Sequence, residues 1–430
     1  MYRTHYTNEL KAGASVKITG YIYDFRDKGK ILFVTLRDRE GVAQVIVKHG
    51  DVSEKLFDSF KKLHKEMLVS VEGKVVESKI AKSGIEVIPT SIEIVADSEY
   101  PLPLEVTGRI ESNLDKRLDW RFLDMRDLTV MKTFRLQSII TGLLEEFCRK
   151  EGFERLFFSR LVGESTEGGT EYFEVNYFDR KAYLAQSPQL YKEGAMVSGI
   201  DKVYDLGFVY RAEPHHTPRH LCEYMSFDVE MVAEELEELL TFEEKLMQFL
   251  FDSLNKRHNT LLKEFGVDLT VPKKIPRLKL TEANKILEEL KIETEEHDLT
   301  PGGEKALSEY CKKKYGTSFV FVTHFPFAKK PFYIKRGAVG QETLSFDLIY
   351  DGLEITSGGI REHRYKDRIE NIKAKGLNPK DFSHLDFWKY GMPPHGGFAI
   401  GMERLTEKIL KLENVREATL LPRDTTRLKP

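Results

Sequence analysis

Residues 210–231 read YRAEPHHTPRHLCEYMSFDVEM. The run that leads into them, KVYDLGFVYRAE from Lys202, is strand-like, and EYMSFDVEMV after Cys222 is a second strand, so the stretch reads as a charged hairpin. Arg211 and Glu213 end the first strand, Arg219 and His220 sit in the connection, and Tyr224 to Glu230 return, which places guanidinium forks and an acceptor on one sheet face. Planar arginine donors match phosphate oxygens in pairs, and a carboxylate accepts from an exocyclic amine. Two other readings stay open at this point: a surface ion-pair ladder, and a metal site made by His215, His216 and His220.

Outward from the hairpin, strand-like runs alternate with helices. FERLFFSRLV, KAYLAQ, FVFVTHFPF, PFYIKR and ETLSFDLIYDGLEITSGG read as strands, and GGFAIGMERLTEKILKL reads as a strand leading into a helix. A long amphipathic helix is expected over 129–150, where Val130, Phe134, Ile140, Leu143, Leu144 and Phe147 recur at helical spacing before Gly152. An acidic helix is expected from Glu234 to about Phe265. Strands joined largely by hairpins with flanking helices predict an α+β domain on an antiparallel sheet.

The N-terminal part differs. From Val16 to Val95 short β segments recur at regular spacing, with a DREG turn and a helical stretch SEKLFDSFKKLH between the third and fourth. Five strands with a helix in that slot outline an OB-fold β-barrel, although another small β domain would show a similar pattern. DSEYPLPLE, 97–105, with two prolines in three residues, reads as an extended hinge. The expected organisation is therefore a barrel over 1–100, a linker over 101–128 and an α+β domain over 129–430.

Across 430 residues, 31% are charged and no apolar run approaches the roughly 18 residues of a membrane span. The start, MYRTHYTNEL, lacks an apolar signal region, and the expectation is a cytoplasmic protein. Cys148, Cys222 and Cys311 lie far apart without CxxC spacing, so neither a disulfide framework nor a structural zinc site is expected. A net charge of −3 argues against a nucleic-acid coat protein, yet residues 1–50 carry nine Lys/Arg against five Asp/Glu, a modest basic surplus.

No Walker-type loop and no GxGxxG opening a helix is present, so a nucleotide would have to be held by another device. Beside the hairpin stand two more clusters. GLEITSGGIREHRY brings Glu354 and Ser357, hard oxygen donors three residues apart that suit Mg²⁺ next to phosphates. GGFAIGMERL puts Gly396, Gly397 and Gly401 before Arg404 at a helix start, where backbone can approach a ligand. A glycine-containing bulge and a tight helix-packing site are the structural alternatives.

YRAE with a downstream RH, then GLEITSGG, then GGFAIGMERL, occur in an order that resembles the second and third motifs of class II aminoacyl-tRNA synthetases. RLDWRFLDMRD resembles the entry signature of their subgroup with an N-terminal OB domain. STEGGTEYF, QSPQLYK, RAEPHHTPRH, ITSGGIREHR and PRDTTRL are similar to the archaeal/eukaryotic type of aspartyl-tRNA synthetase. The likeness runs over nearly the whole chain. One departure is Ser159, which falls where the first motif of the family carries a proline at the dimer interface.

The resemblance implies an enzyme that activates L-aspartate with ATP and Mg²⁺ and charges tRNA(Asp), with tRNA(Asn) as a further candidate, working as a homodimer. It implies that Arg211 binds the α-phosphate and the aspartate carboxylate, that Glu213 accepts from the adenine amine, and that Tyr224 stacks on adenine with Arg404 on the opposite face reaching the γ-phosphate. Arg219 and His220 would meet the triphosphate, Leu221 and Gly401 would complete the nucleotide site, and Glu354 and Ser357 would carry Mg²⁺. Lys192 and Arg361 would face the aspartate side chain, with Glu167, Gln189 and Asp347 at its ammonium end. Two cations around a small carboxylate would be left uncompensated by asparagine, a penalty of roughly 3–5 kcal/mol. In the barrel, Phe33 would stack on an anticodon base, Gln44 would read a base edge, Arg26 would meet phosphate, and Tyr23 and Lys82 would lie near the third anticodon base. The same resemblance admits two rivals: an asparaginyl enzyme, and a catalytically silent RNA-binding paralogue.

Overall fold

A computed structural model describes residues 2–164, 171–214, 217–338 and 341–430. It divides into two compact units, Met1–Lys132 with Pro430, and Thr133–Lys429.

In the first unit, strands β1 (Ser15–Asp27), β2 (Ile31–Arg37), β3 (Val42–Lys48), β4 (Leu68–Glu77) and β5 (Ile85–Ala96) close into a barrel in the order β1-β2-β3-β5-β4. Alternation decides which side chains fill it: Leu32, Val34 and Leu36 point inward from β2, while Phe33 and Thr35 remain partly exposed between them. Helix Glu54–Lys61, capped by the Ser53 hydroxyl accepting from Leu56 N–H, adds buried Phe57 and Phe60 to the barrel core. This is the OB barrel expected from the spacing of its strands. Segment 101–128, read as linker, contains the short helices Leu114–Asp119 and Arg121–Asp124.

The second unit is built on an eight-stranded sheet. Its strands are β6 (Glu154–Arg155), β10 (Lys202–Tyr210), β11 (Glu223–Val232), β12 (Arg277–Lys279), β13 (Phe319–Thr323), β14 (Ser345–Tyr350), β15 (Leu353–Ile360) and β16 (His395–Gly401), ordered β12-β13-β14-β15-β16-β11-β10-β6. A small sheet holds β7 (Leu161–Val162), β8 (Glu174–Tyr177) and β9 (Arg180–Leu184). The six inner strands of the large sheet are antiparallel, as expected; the edge pairs β12–β13 and β6–β10 are parallel, which makes the sheet mixed. Phe227, Val229, Phe346 and Phe398 enter the main core together with Leu136, Ile140 and Leu246 from helices Leu128–Lys150 and Leu236–Arg257. FVFVT of β13, apolar up to Thr323, is buried on both faces: Phe319 and Phe321 join that core, and Val320 and Val322 pack with Leu287 and Leu307 of other helices.

Three local expectations are corrected. The acidic helix is two, Leu236–Arg257 and Asn259–Glu264, broken at His258 with φ −132°. FERLFFSRLV supplies only β6 and β7. PFYIKR is no strand: Ile334 N–H bonds back to the Pro331 carbonyl at 3.2 Å in a turn, and the segment touches the sheet through the single bridges Ile334–Arg361 and Arg336–Thr343.

Candidate active site

The quoted stretch is the end of β10, a connection and β11, with Tyr210 opposite Glu223 and Lys202 opposite Met231. On β11, Phe227 and Val229 are given to the core, so Ser226, Asp228 and Glu230 face the other way. Cross-strand pairing extends that face. Asp228 pairs with Ala399, Ala399 with Ser357 and Ser357 with Asp347, while in the next row Glu230 pairs with Gly397 and Gly397 with Gly359. A Cβ on Gly397 would lie 2.0 Å from the Val229 carbonyl and 2.5 Å from Glu230 Oε2. Gly397 therefore serves close strand packing, and a Cβ on Gly396 would lie 2.8 Å from the Leu239 side chain of helix Leu236–Arg257, the helix-packing alternative set out above.

Over this face opens a cleft of about 280 Å³. Every residue expected at the nucleotide lines it: Arg211, Glu213, Arg219, His220, Leu221, Tyr224, Glu354, Gly401 and Arg404, and Ser357 as well. Arg211 Nη1 is 3.6 Å from Glu213 Oε1, its guanidinium is 5.8 Å from the Tyr224 ring centre, and His220 Nε2 is 3.9 Å from Glu213 Oε2. Arg404 Nη1 donates to the Glu354 carbonyl at 3.1 Å and lies 3.8 Å from its carboxylate. Arg219 donates to the Gly352 carbonyl at 2.9 Å and pairs with Glu304 at 3.2 Å. Burial, then the charge of Glu354, pushes the Glu304 carboxyl up to about 7. Glu403, buried in the cleft wall and accepting from Met225 N–H at 3.0 Å, is also pushed up to about 7 by burial.

Lys192, Arg361, Gln189 and Asp347 lie outside the cleft wall and are buried. Helix Gln189–Val197 aims Lys192 at the sheet, with Nζ 3.0 Å from Asp228 Oδ1 and 3.5 Å from Glu230 Oε2. Arg361 donates from Nε to Glu230 Oε1 at 2.9 Å and from Nη2 to Gln189 Oε1 at 3.1 Å and Glu230 Oε2 at 3.2 Å; among the described residues its Nη1 makes no hydrogen bond. The two cations thus meet on one carboxylate. They are already compensated, which corrects the premise that a neutral ligand would leave them unpaired. Asp347 accepts from Lys330 Nζ at 2.6 Å, and Lys330 also reaches Ser357 Oγ at 3.3 Å. Burial, which outweighs the Lys330 charge, pushes Asp347 up to about 6. Glu167, His215 and His216 lie outside the described residues.

Asp228 and Glu230 were missed in the sequence, although charged residues alternating with Phe227 and Val229 on a strand were the available signal. Lys330, Glu304 and Glu403 carried none.

On the barrel, Arg26 of β1 is paired across from Phe33 of β2, and Gln44 of β3 from Thr35, so Phe33 and Gln44 share one outer face. Gln44 donates to Glu86 at 2.5 Å. Tyr23 sits at a bulge in β1 and turns its hydroxyl to the Thr107 carbonyl at 3.4 Å, with the Arg37 guanidinium 5.4 Å from its ring. Lys82 is exposed between β4 and β5.

The sequence profile of tRNA synthetases class II (D, K and N) matches residues 113–425, and that of an OB-fold nucleic acid binding domain matches residues 16–95. The chain belongs to the class II tRNA synthetases of the D, K and N group. Among relatives of this family, the aspartate–tRNA(Asp) ligase of Pyrococcus horikoshii is 42% identical over 438 residues, all of both chains. The aspartate–tRNA(Asp/Asn) ligase of Aeropyrum pernix is 40% identical, covering 99% of this chain and 97% of the relative. In three dimensions the asparaginyl-tRNA synthetase of Pyrococcus horikoshii, solved with asparaginyl-adenylate, matches with a TM-score of 0.92 at 32% identity over the whole of both chains. As a class II synthetase the protein uses ATP, and no helix among its described residues is long and apolar enough to cross a membrane.

Proposed function

We propose that the protein is an aspartate–tRNA ligase. A carboxylate oxygen of L-aspartate attacks the α-phosphorus of ATP, pyrophosphate leaves, and the 3′-terminal ribose hydroxyl of tRNA(Asp) then attacks the carbonyl of aspartyl-adenylate and releases AMP. The observation that carries the specificity is the convergence of Lys192 and Arg361 beside the cleft, with Arg361 Nη1 still available to a second carboxylate. Asparagine would present an amide N–H₂ to that cationic edge, and a site built for an acceptor discriminates against it.

In this reading Arg211 stabilises charge on the α-phosphate as the bond forms, Tyr224 and Arg404 hold adenine, and Arg219 and His220 orient the triphosphate. Glu213 faces the adenine amine. Gln189 and Asp347 lie at the ammonium end of aspartate, a place also assigned to Glu167. Glu354 and Ser357 fit Mg²⁺: both line the cleft, both offer oxygen, and no group of three or more His, Cys, Asp or Glu residues converges among the described residues. Such a sparse set suits a cation that keeps waters and takes phosphate oxygens. When bound, Mg²⁺ neutralises the charge of the triphosphate.

The barrel face of Arg26, Phe33 and Gln44 is assigned to the anticodon, with Tyr23 and Lys82 toward its third base. tRNA(Asn) enters as a second acceptor, and charging of transcripts that differ only at that base decides between one acceptor and two. A cytoplasmic homodimer completes the reading; exposed Phe157 and Leu161, flanking Ser159, are apolar surface for the interface, and sedimentation measures it.

ATP/pyrophosphate exchange with aspartate, asparagine and lysine in parallel tests the proposal. Exchange with aspartate is expected. Exchange with asparagine in its place would establish the asparaginyl reading, and exchange with none would establish a silent RNA-binding paralogue.

A further inference from the structure

We propose that Glu193, fully buried and outside the cleft wall, is a positioning residue that sets amino-acid selectivity by fixing the amide of Gln189 and, through it, the guanidinium of Arg361. The inference rests on the ligase reading above and extends it to a residue that touches no substrate.

Gln189 and Glu193 are one turn apart on helix Gln189–Val197 and share a face. Gln189 Nε2 donates to Glu193 Oε1 at 2.9 Å and approaches Glu230 Oε2 at 3.4 Å. An ionised carboxylate can only accept, so the amide nitrogen must face these two groups and its oxygen is left to accept from Arg361 Nη2 at 3.1 Å. A flipped amide would set its oxygen against two carboxylates and its N–H₂ against a guanidinium. Glu193 thereby decides which atom Arg361 meets. With Nε also held by Glu230, the guanidinium is fixed on two sides and Nη1 is the edge left over.

Glu193 is in turn held from behind. Arg368, fully buried, donates from Nη2 to Oε1 at 3.1 Å and brings Nη1 within 3.0 Å of Oε2 as an ion pair, and His395 Nε2 lies 3.2 Å from Oε2. Arg368 is itself fixed by the Tyr333 carbonyl at 3.0 Å and by the Trp388 ring, whose centre is 4.7 Å away. Burial raises the Glu193 carboxyl, but Arg368, His395 and Arg361 outweigh it and hold it well below the usual range, so it is an acceptor throughout. A buried ion pair stabilises a fold no better than apolar residues of the same volume, and here its distinctive product is geometry.

Full-length Glu193→Gln, Glu193→Gln/Arg368→Met and the unaltered protein are compared by ATP/pyrophosphate exchange with aspartate and asparagine, and by thermal unfolding. Loss of one charge-assisted contact predicts a KM for aspartate raised about tenfold or more in Glu193→Gln, and a similar fall in the aspartate-to-asparagine ratio of kcat/KM. The KM for ATP should stay within about twofold. The double variant, with both charges removed, should recover Tm but not the KM for aspartate; it also carries the test if Glu193→Gln fails to fold. Unchanged selectivity in Glu193→Gln, or a double variant with the parental KM, would overturn the positioning role. Exchange of the unaltered protein with asparagine alone would instead overturn the ligase reading on which the inference rests.

Discussion

The Lys192 ammonium lies 3.0 Å from the Asp228 carboxylate, and both side chains are almost wholly removed from solvent. With Glu230 and Arg361 they form a set of two cations and two anions at the sheet surface. An incoming aspartate side chain adds to a site that is already neutral, so it is recognised by the donors left over rather than by bare positive charge. The lysine consequently has two roles, and they can be separated.

Lys192→Met is expected to abolish aspartate-dependent exchange, leave ATP affinity nearly unchanged, and lower stability by about 3–5 kcal/mol because Asp228 is left buried without its partner. Lys192→Met/Asp228→Leu should recover much of the stability and none of the exchange. Arg361→Gln should behave like the single lysine variant, read by exchange kinetics and denaturant unfolding.

Phe33 alternates with buried Leu32 and Val34 and stays partly exposed, so Phe33→Ala should cost little stability. Loss of one base stack, about 1–3 kcal/mol, predicts a KM for tRNA raised roughly tenfold or more with tRNA-free exchange intact. Loss of both activities would assign Phe33 to the core.

Glu243, on helix Leu236–Arg257, is fully buried, and neither carboxyl oxygen finds a hydrogen-bond partner of good geometry. Burial, opposed by the Thr356 hydroxyl and reinforced by the charge of Asp347, pushes it up to about 8. Its pKa is raised on folding, so between the ordinary carboxylate range and pH 8 the folded state binds more protons than the unfolded one. This contribution is fully present at low pH and is lost as pH rises through about 8. Wild-type stability minus that of Glu243→Gln, followed by urea unfolding from pH 5 to pH 9, should fall over that window; a flat difference would show that Glu243 is not the group responsible.

Gly397 has no room for a Cβ, which would fall 2.0 Å from the Val229 carbonyl and against Glu230. Gly397→Ala should destabilise by more than about 3 kcal/mol, as overpacking at backbone does. Any folded fraction should show a raised KM for aspartate because Glu230 is displaced. Gly401→Ala, whose Cβ would meet only the Arg404 side chain at 3.8 Å, should fold normally.

Much was readable in the residues alone. The spacing of five strands with a helix between the third and fourth outlined the barrel, and the hairpin at 210–231 with the two later clusters carried the family resemblance that named the cleft residues. These features are local, or depend on strands whose inward and outward faces are dictated by alternation, so one chain suffices to see them. What tertiary structure alone decided is which charges are paired. Arg361 meets Gln189 across 172 positions, Arg368 meets Glu193 across 175 and His395 meets it across 202. No periodicity links such residues, and whether a buried cation is open to a ligand or already answered by a carboxylate depends on where the folded backbone brings its neighbours.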